Sequence, residues 1–258
     1  MDSMIWCIGL ASFFLLCTSL ATAHEPVLLD ARRATPGLLL EIIELPATIT
    51  SATARYRLRV SRLPRDVVFG VWAKDFGHSF HEVATGFRMD ASGAMVSSEL
   101  DVAGWVWRWW HWLVSSRPRR LDEMALEPGT YYPRGAFWEV ALASVDLTRT
   151  AFAKVIPRPI TARDGPCTVS LDLVSRRGDR FVASGAGFAP DEDVVTELWY
   201  AGRMIKKSQR VSAEGQLPPD VISHGASGND HSAYYAVKGR SCNVAVEYKW
   251  GEPALGRH

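Results

Sequence analysis

Two stretches of the chain share one pattern of apolar and polar positions. Residues 67–72 and 194–199 both read Val-Val-x-x-x-Trp, and each follows an alternating run and a turn that contains a proline. This pattern predicts a strand, a tight connection and a second strand. A further alternating run follows each tryptophan and is broken by a polar glycine turn, at residues 90–93 and 212–215. The sequence therefore predicts two copies of one β unit.

Each copy has the size and composition of a β-sandwich. The copies are rich in valine, tyrosine and turn residues, and both end in aromatic-rich alternation, at residues 136–145 and 233–250. Units of roughly 100 residues with these features are typical of two-layer β folds. We predict an all-β protein of two tandem β-sandwiches, the first over residues 24–155 and the second over residues 167–258.

The second copy contains a recognisable strand and turn. Residues 181–193 read F-V-A-S-G-A-G-F-A-P-D-E-D, in which the glycines permit positive φ and a β-bulge and Pro190 presets φ for the bend. Over residues 166–250 the chain resembles the bacterial immunoglobulin-like repeats of exported envelope proteins. The resemblance implies immunoglobulin-like sandwiches in a spacer, adhesive or ligand-presenting role. It implies no active site, because the family shares none.

The N-terminus has the features of an export signal. Residues 5–20 form an apolar run, shorter than a membrane span needs, and small residues follow it before His24. We predict cleavage after Ala23 and a periplasmic or extracellular location. Two alternatives stay open: an uncleaved anchor in the inner membrane, because residues 1–3 contain no Lys or Arg, and lipidation at Cys17.

The predicted mature chain keeps two cysteines, Cys167 and Cys242. Each thiol shares strand parity with a series of apolar residues, so both are expected on a buried face. We predict a disulfide between them, and two buried free thiols are the alternative. Two distant cysteines supply too few ligands for a metal site.

Residues 156–166 contain three prolines. Proline disfavours a helix and a central strand, and it stiffens an extended chain. We predict a semi-rigid linker between the two sandwiches.

Residues with catalytic potential are few. His78 and His81 lie beside a carboxylate, but their spacing matches neither the HExxH nor the HxxEH zinc pattern. Residues 224–231 hold two histidines in a stretch whose glycines favour a loop between strands over a metal site. A formal net charge of +1 gives no general basic field for nucleic acid.

These observations predict a non-catalytic envelope protein that acts as a binding, adhesive or spacer module, with no catalytic residue, metal or cofactor. The alternative is a periplasmic or secreted enzyme, a hydrolase or a metal-dependent one. Its site would be assembled from residues distant in sequence, such as His78, His81 or Asp230.

The first copy carries an insertion at residues 99–130 that lengthens one interval by about 25 residues relative to the second copy. A segment that the core does not require is a place where function is added. Its centre has five tryptophans in eight residues, followed by a basic cluster at residues 117–120. A short amphipathic helix fits best, with an apolar stripe opposite Arg108 and His111, and a fully buried strand is the alternative.

Three roles suit this insertion: a lid packed on the first sandwich, insertion at a membrane interface, or a recognition surface for an envelope protein or a glycan. The predicted binding residues are Trp105, Trp107, Arg108, Trp109, Trp110 and Trp112.

Overall fold

The structure is a computed structural model that describes residues 29–46, 54–97, 119–128, 132–225 and 231–256. The predicted signal segment with its cleavage site after Ala23, the tryptophans of residues 105–112 and Asp230 lie outside these residues. Among the described residues, no helix is long and apolar enough to cross a bilayer.

Strands make up nearly all the regular structure of the described residues, which confirms the all-β prediction. In residues 29–155, which we define as the first unit, the strands are β1 (Leu39–Glu44), β2 (Tyr56–Ser61), β3 (Phe69–Lys74), β4 (His81–Met89), β5 (Met95–Ser97), β6 (Arg119–Arg120), β7 (Trp138–Ser144) and β8 (Thr150–Val155). In residues 160–256, the second unit, they are β9 (Ile160–Asp164), β10 (Cys167–Leu173), β11 (Arg180–Ala186), β12 (Asp193–Tyr200), β13 (Arg203–Arg210), β14 (Gln216–Ser223), β15 (Ser232–Lys238) and β16 (Asn243–Lys249). Two short 3-10 helices cover Leu121–Glu123 and Glu252–Leu255.

The first unit packs a large sheet on a small one. The large sheet has the strand order β6-β5-β4-β3-β7-β8, and β1 pairs with β2 in the small one. Alternation in β2 buries Tyr56 and Leu58, which join one core with Phe69 and Val71 of β3. The ring centroids of Tyr56 and Trp138 lie 5.7 Å apart in this core.

The second unit consists of two four-stranded sheets, ordered β14-β11-β10-β9 and β13-β12-β15-β16, around a shared core. Strict alternation in β10 turns Cys167, Val169 and Leu171 inward, as the sequence predicted. Cys167 and Cys242 form the predicted disulfide, with a Cα–Cα distance of 6.2 Å. Cys167 begins β10, which is the second strand of the unit because β9 precedes it. Cys242 directly precedes β16, the last strand.

The proline-rich stretch predicted as a linker is partly sheet. Its residues Ile160–Asp164 form β9, which pairs antiparallel with β10 from Ile160 opposite Leu171 to Asp164 opposite Cys167. β9 is an edge strand, and edges tolerate prolines nearby because only one side of the strand must donate hydrogen bonds. The connection between the units is therefore shorter than residues 156–166.

A glycine joins the two units. The Gly135 amide donates a hydrogen bond of 2.7 Å to the Arg158 carbonyl, and the Gly135 carbonyl accepts one of 2.8 Å from the Leu173 amide. Gly135 has φ of +76°, and a Cβ there would lie 2.8 Å from the carbonyl oxygen of Leu171. Only glycine fits this close approach without strain.

The tryptophans that end the two Val-Val-x-x-x-Trp stretches lie in strands with similar pairing, Trp72 in β3 and Trp199 in β12. β3 pairs with β4 and β7, and β12 pairs with β13 and β15, so each strand pairs with its successor and with a later strand. The next strands differ: β5 stays beside β4, whereas β14 crosses to the opposite sheet and pairs with β11.

In the first unit, the C-terminal part of the predicted insertion pairs with β2, as β14 pairs with β11 in the second. Leu126 exchanges two backbone hydrogen bonds with Tyr56 of β2, at 2.9 and 2.8 Å. Leu121 and Leu126 are both buried. The C-terminal part of the predicted insertion is thus core, and only residues before Arg119 are candidates for a dispensable segment.

Candidate functional site

One face of the sheet β13-β12-β15-β16 is turned away from the core. Alternation in β12 points Val194 and Leu198 inward and Glu197 and Trp199 outward. The register places Trp199 directly opposite Met204 of β13 and Tyr234 of β15. Such directly opposed residues are neighbours on one face of the sheet.

These three side chains are in solvent. Trp199 is 45% exposed, Met204 44% and Tyr234 36%. We call Met204, Trp199 and Tyr234 the aromatic row. Its last neighbour across the sheet is Glu247 of β16, which lies opposite Tyr234.

A groove of about 500 Å³ runs beside the aromatic row, and charged side chains line it. Arg203 comes from the start of β13, and Lys249 and Glu247 come from β16. The Lys249 ammonium donates a hydrogen bond to the Ser232 hydroxyl. Arg134 enters from the first unit, on the loop that Gly135 fixes against β10.

The lysines beside the groove are paired with carboxylates. The buried Glu197 carboxylate lies 2.9 Å from the Lys206 ammonium and 2.8 Å from the Lys238 ammonium. Hydrogen bonds from these two lysines hold the pKa of Glu197 at about 2, so the carboxylate is ionised at neutral pH. Lys207 is paired in the same way with Asp220, at 2.9 Å.

The cations that line the groove are not paired with carboxylates in this way. Among the described side chains, no carboxylate lies within ion-pair distance of Arg134, Arg203 or Lys249. The site therefore combines two exposed aromatic rings, one carboxylate and three cations that form no ion pair with another described residue. This combination can stack a flat ring and attract an anionic group.

The equivalent tryptophan of the first unit is covered. Trp72 also lies on the outer face of its sheet, but it is only 7% exposed. It packs in a second apolar cluster with Leu29, Phe80 and Leu147, and Phe152 packs against this cluster from β8. Exposure of Trp199 is thus a property of the second unit and not of the repeated strand.

The histidines singled out in the sequence do not gather in the groove. His78 and His81 are exposed on the first unit and do not line the groove. No group of three or more potential metal ligands occurs in the described parts of the chain.

His224, predicted to lie in a loop, belongs to a buried aromatic cluster. Its ring stacks on Trp250 with centroids 5.0 Å apart, and its Nε2 atom lies 2.9 Å from the Tyr248 hydroxyl oxygen. Burial lowers the pKa of His224 to about 4. The His231 ring meets the same indole edge-on, at 4.9 Å. The glycine-rich composition of residues 224–231 concealed this packing role.

Sequence reasoning missed the aromatic row and assigned binding to residues 105–112, which lie outside the described residues. A signal was present, because Trp199 shares strand parity with Glu197, and a charged residue marks an outward face. What the sequence did not show is whether another segment covers that face.

No protein-family profile and no curated protein matches this sequence. Among solved structures, the chain is similar to a "tetra-tandem repeat in extending region of large adhesion protein", with 14% identity and a TM-score of 0.26 over 83% of this chain. The chain spans 48% of the length of that structure's chain. At this level of similarity, function is argued from the site.

Proposed function

We propose that the chain is an exported, non-catalytic binding module, and that the aromatic row with its groove is the binding surface. The observation that carries this proposal is the exposure of Trp199 and Tyr234 side by side on a sheet face. Complete burial of a large apolar side chain stabilises by about 1.5 to 3 kcal/mol, and a side chain that is partly exposed forgoes part of this energy. A partner that covers both rings recovers that energy, which is why exposed aromatic clusters mark interaction surfaces.

The scaffold suits an adhesive or spacer role in the envelope. We propose that the two units are tandem immunoglobulin-like sandwiches and that residues 1–23 direct export. The Cys167–Cys242 disulfide supports export, because such bonds persist in oxidising compartments. The exposed positions of His78 and His81 favour binding over catalysis, since neither histidine is held against a carboxylate in the groove.

We also propose that the tryptophan-rich segment is an accessory binding element for an envelope protein, a glycan or a membrane interface. Ser97 of β5 pairs with Arg119 of β6, so both ends of the segment meet at the edge of one sheet. A segment that leaves and rejoins a sheet at one point can extend away from the core without breaking it. The residues proposed to bind remain Trp105, Trp107, Arg108, Trp109, Trp110 and Trp112.

The proposal is tested by removing the aromatic row from the full chain. The unaltered chain is first tested for retention on immobilised polysaccharides and on lipid vesicles. We expect Trp199→Ala combined with Tyr234→Ala to abolish retention on the support that the unaltered chain binds. The matched control is Val221→Ala, since Val221 is 61% exposed on the opposite sheet and should leave binding unchanged. Retention by the double variant at the level of the unaltered chain would exclude the aromatic row as the binding surface.

A further inference from the structure

We infer that the ligand of the aromatic row is an acidic glycan, a polysaccharide whose sugar rings carry carboxylates. This inference rests on the proposed function and specifies its ligand class. It joins two properties of the same groove: exposed aromatic rings, and cations that form no ion pair with the described carboxylates.

The stacking platform has the dimensions of a sugar chain. Trp199 and Tyr234 stand on adjacent strands at directly opposed positions, roughly 5 Å apart at the backbone. This spacing is comparable with the length of one hexose ring. Successive sugars of an extended polysaccharide can therefore lie across the two aromatic faces.

The charge of the groove selects among sugars. Arg134, Arg203 and Lys249 outnumber the single carboxylate of Glu247. A guanidinium group binds a carboxylate through two parallel hydrogen bonds, and an ammonium group binds it as a point charge. A neutral glycan would leave these cations unused, whereas a uronate places a carboxylate on the ring that stacks.

A single-stranded nucleic acid fits the surface less well. Phosphate chains are bound along continuous tracks of unpaired cations. Beyond the groove, Lys206 and Lys238 share the Glu197 carboxylate and Lys207 pairs with Asp220, so the cations there are already engaged and do not continue the track. The formal net charge of the chain is also only +1.

A second copy of this chain is disfavoured by charge as well. A two-fold contact through the aromatic row would bring the same surface against itself. The interface would then gather Arg203 and Lys249 from both copies with only the two Glu247 carboxylates among the groove residues to offset them, and excess like charge in a poorly hydrated interface costs energy.

The test compares polymers that differ in one property. The full chain is titrated with polygalacturonate, with its methyl ester, which keeps the rings and loses the charge, and with polyglutamate, which keeps the charge and lacks sugar rings. We expect polygalacturonate to bind at least about tenfold more tightly than either of the other polymers. Raising the salt concentration should weaken this binding, because exposed charge pairs are screened.

Variants separate stacking from charge. Trp199→Ala should weaken binding to polygalacturonate by about tenfold or more. Arg203→Ala and Lys249→Ala should each weaken it by roughly threefold. Arg65→Ala, which removes an exposed cation from a loop of the first unit, should have no effect.

The outcomes distinguish this inference from the proposed function. Equal affinity for polygalacturonate and its ester, lost in Trp199→Ala, would overturn the acidic-glycan assignment and keep the binding surface. Three further results would overturn the acidic-glycan assignment. The chain could bind an oligothymidylate more tightly than polygalacturonate, or it could bind neither polygalacturonate nor alginate, a second polyuronate. It could also form a dimer that Trp199→Ala dissociates, without binding any glycan. Glycan binding that survives loss of both Trp199 and Tyr234 would overturn the binding surface itself.

Discussion

Trp72 and Trp199 occupy equivalent strands in the two units, yet one is packed and the other is in solvent. In the first unit, Leu29, Phe80 and Leu147 cover the outer face of the sheet. In the second unit, the same face carries charged side chains around Trp199 and Tyr234. The inner face of such a sheet is constrained by the core, so the outer face is where the two sheets can differ, one covered and the other exposed.

The two units also differ in where the strand that follows the glycine turn pairs. β14 leaves its sheet and pairs with β11, whereas β5 stays and continues the sheet of β4. Leu126 supplies the missing neighbour of β2 in the first unit. The strands β2 and β11 therefore gain their neighbours from different parts of the chain in the two units.

The largest difference between the units should come from the disulfide. Replacing Cys167 and Cys242 by serine removes a cross-link over a sequence separation of 75 residues, which should destabilise the second unit by about 4 kcal/mol. The first unit contains no cysteine among its described residues and should keep its own transition. Denaturant unfolding of the full chain, followed by hydrogen exchange in each unit, measures both effects. Equal losses in the two units would show that they unfold as one body.

The two tryptophans should respond differently to truncation. Trp72→Ala removes a packed indole and should cost about 3 kcal/mol of unfolding free energy. Trp199→Ala removes an exposed one and should change stability by less than about 0.5 kcal/mol. Thermal and denaturant unfolding of both variants tests the comparison directly. A loss in Trp199→Ala as large as that in Trp72→Ala would mean that the aromatic row is part of the fold.

Acid should weaken the second unit through His224. Its pKa is about 4 in the folded chain and 6.5 as the ordinary value, so the folded state favours the neutral ring. The stability is present above pH 6.5 and is lost as the pH falls toward 4, by on the order of 2 kcal/mol. His224→Gln should flatten this dependence, and His81→Gln, at an exposed position, should leave it unchanged. An unchanged pH profile in His224→Gln would contradict the assignment.

A small effect on stability is also expected from shortening the tryptophan-rich segment. Replacing residues 99–117 by a short Gly-Ser loop keeps β6, Leu121 and Leu126 and should change the unfolding of the first unit by less than about 1 kcal/mol. A replacement that extends through residue 130 should unfold this unit, because it removes both buried leucines. If the shorter replacement already abolishes the transition, the tryptophans are core.

The sequence predicted what depends on local pattern. Period-two alternation identified β10 and the buried parity of its thiol, and the glycines of residues 185–187 mark a register shift and a positive φ of +84° at Gly187. It missed what depends on tertiary context. Proline content concealed β9, since an edge strand tolerates it, and no local signal distinguishes a strand that crosses between sheets from one that stays.

Coverage of a face is also a tertiary property. Trp72 and Trp199 have the same parity and the same preceding pattern, so only the segments that pack on Trp72 separate them. The candidate site could therefore be assigned to an outward strand face from sequence, but its exposure could not. His224 shows the converse, because a polar residue in a glycine-rich stretch lies in an aromatic cluster.

The Cys167–Cys242 bond also determines how the second unit carries tension. A pull that enters the unit before β10 and leaves through β16 passes directly from one sulfur to the other, so the 75-residue loop between them bears no load. Roughly 250 Å of contour length is withheld from extension, at about 3.4 Å per residue. The sheet that displays Trp199 and Tyr234 lies largely within this loop, so it keeps its shape while the rest of the chain is stretched.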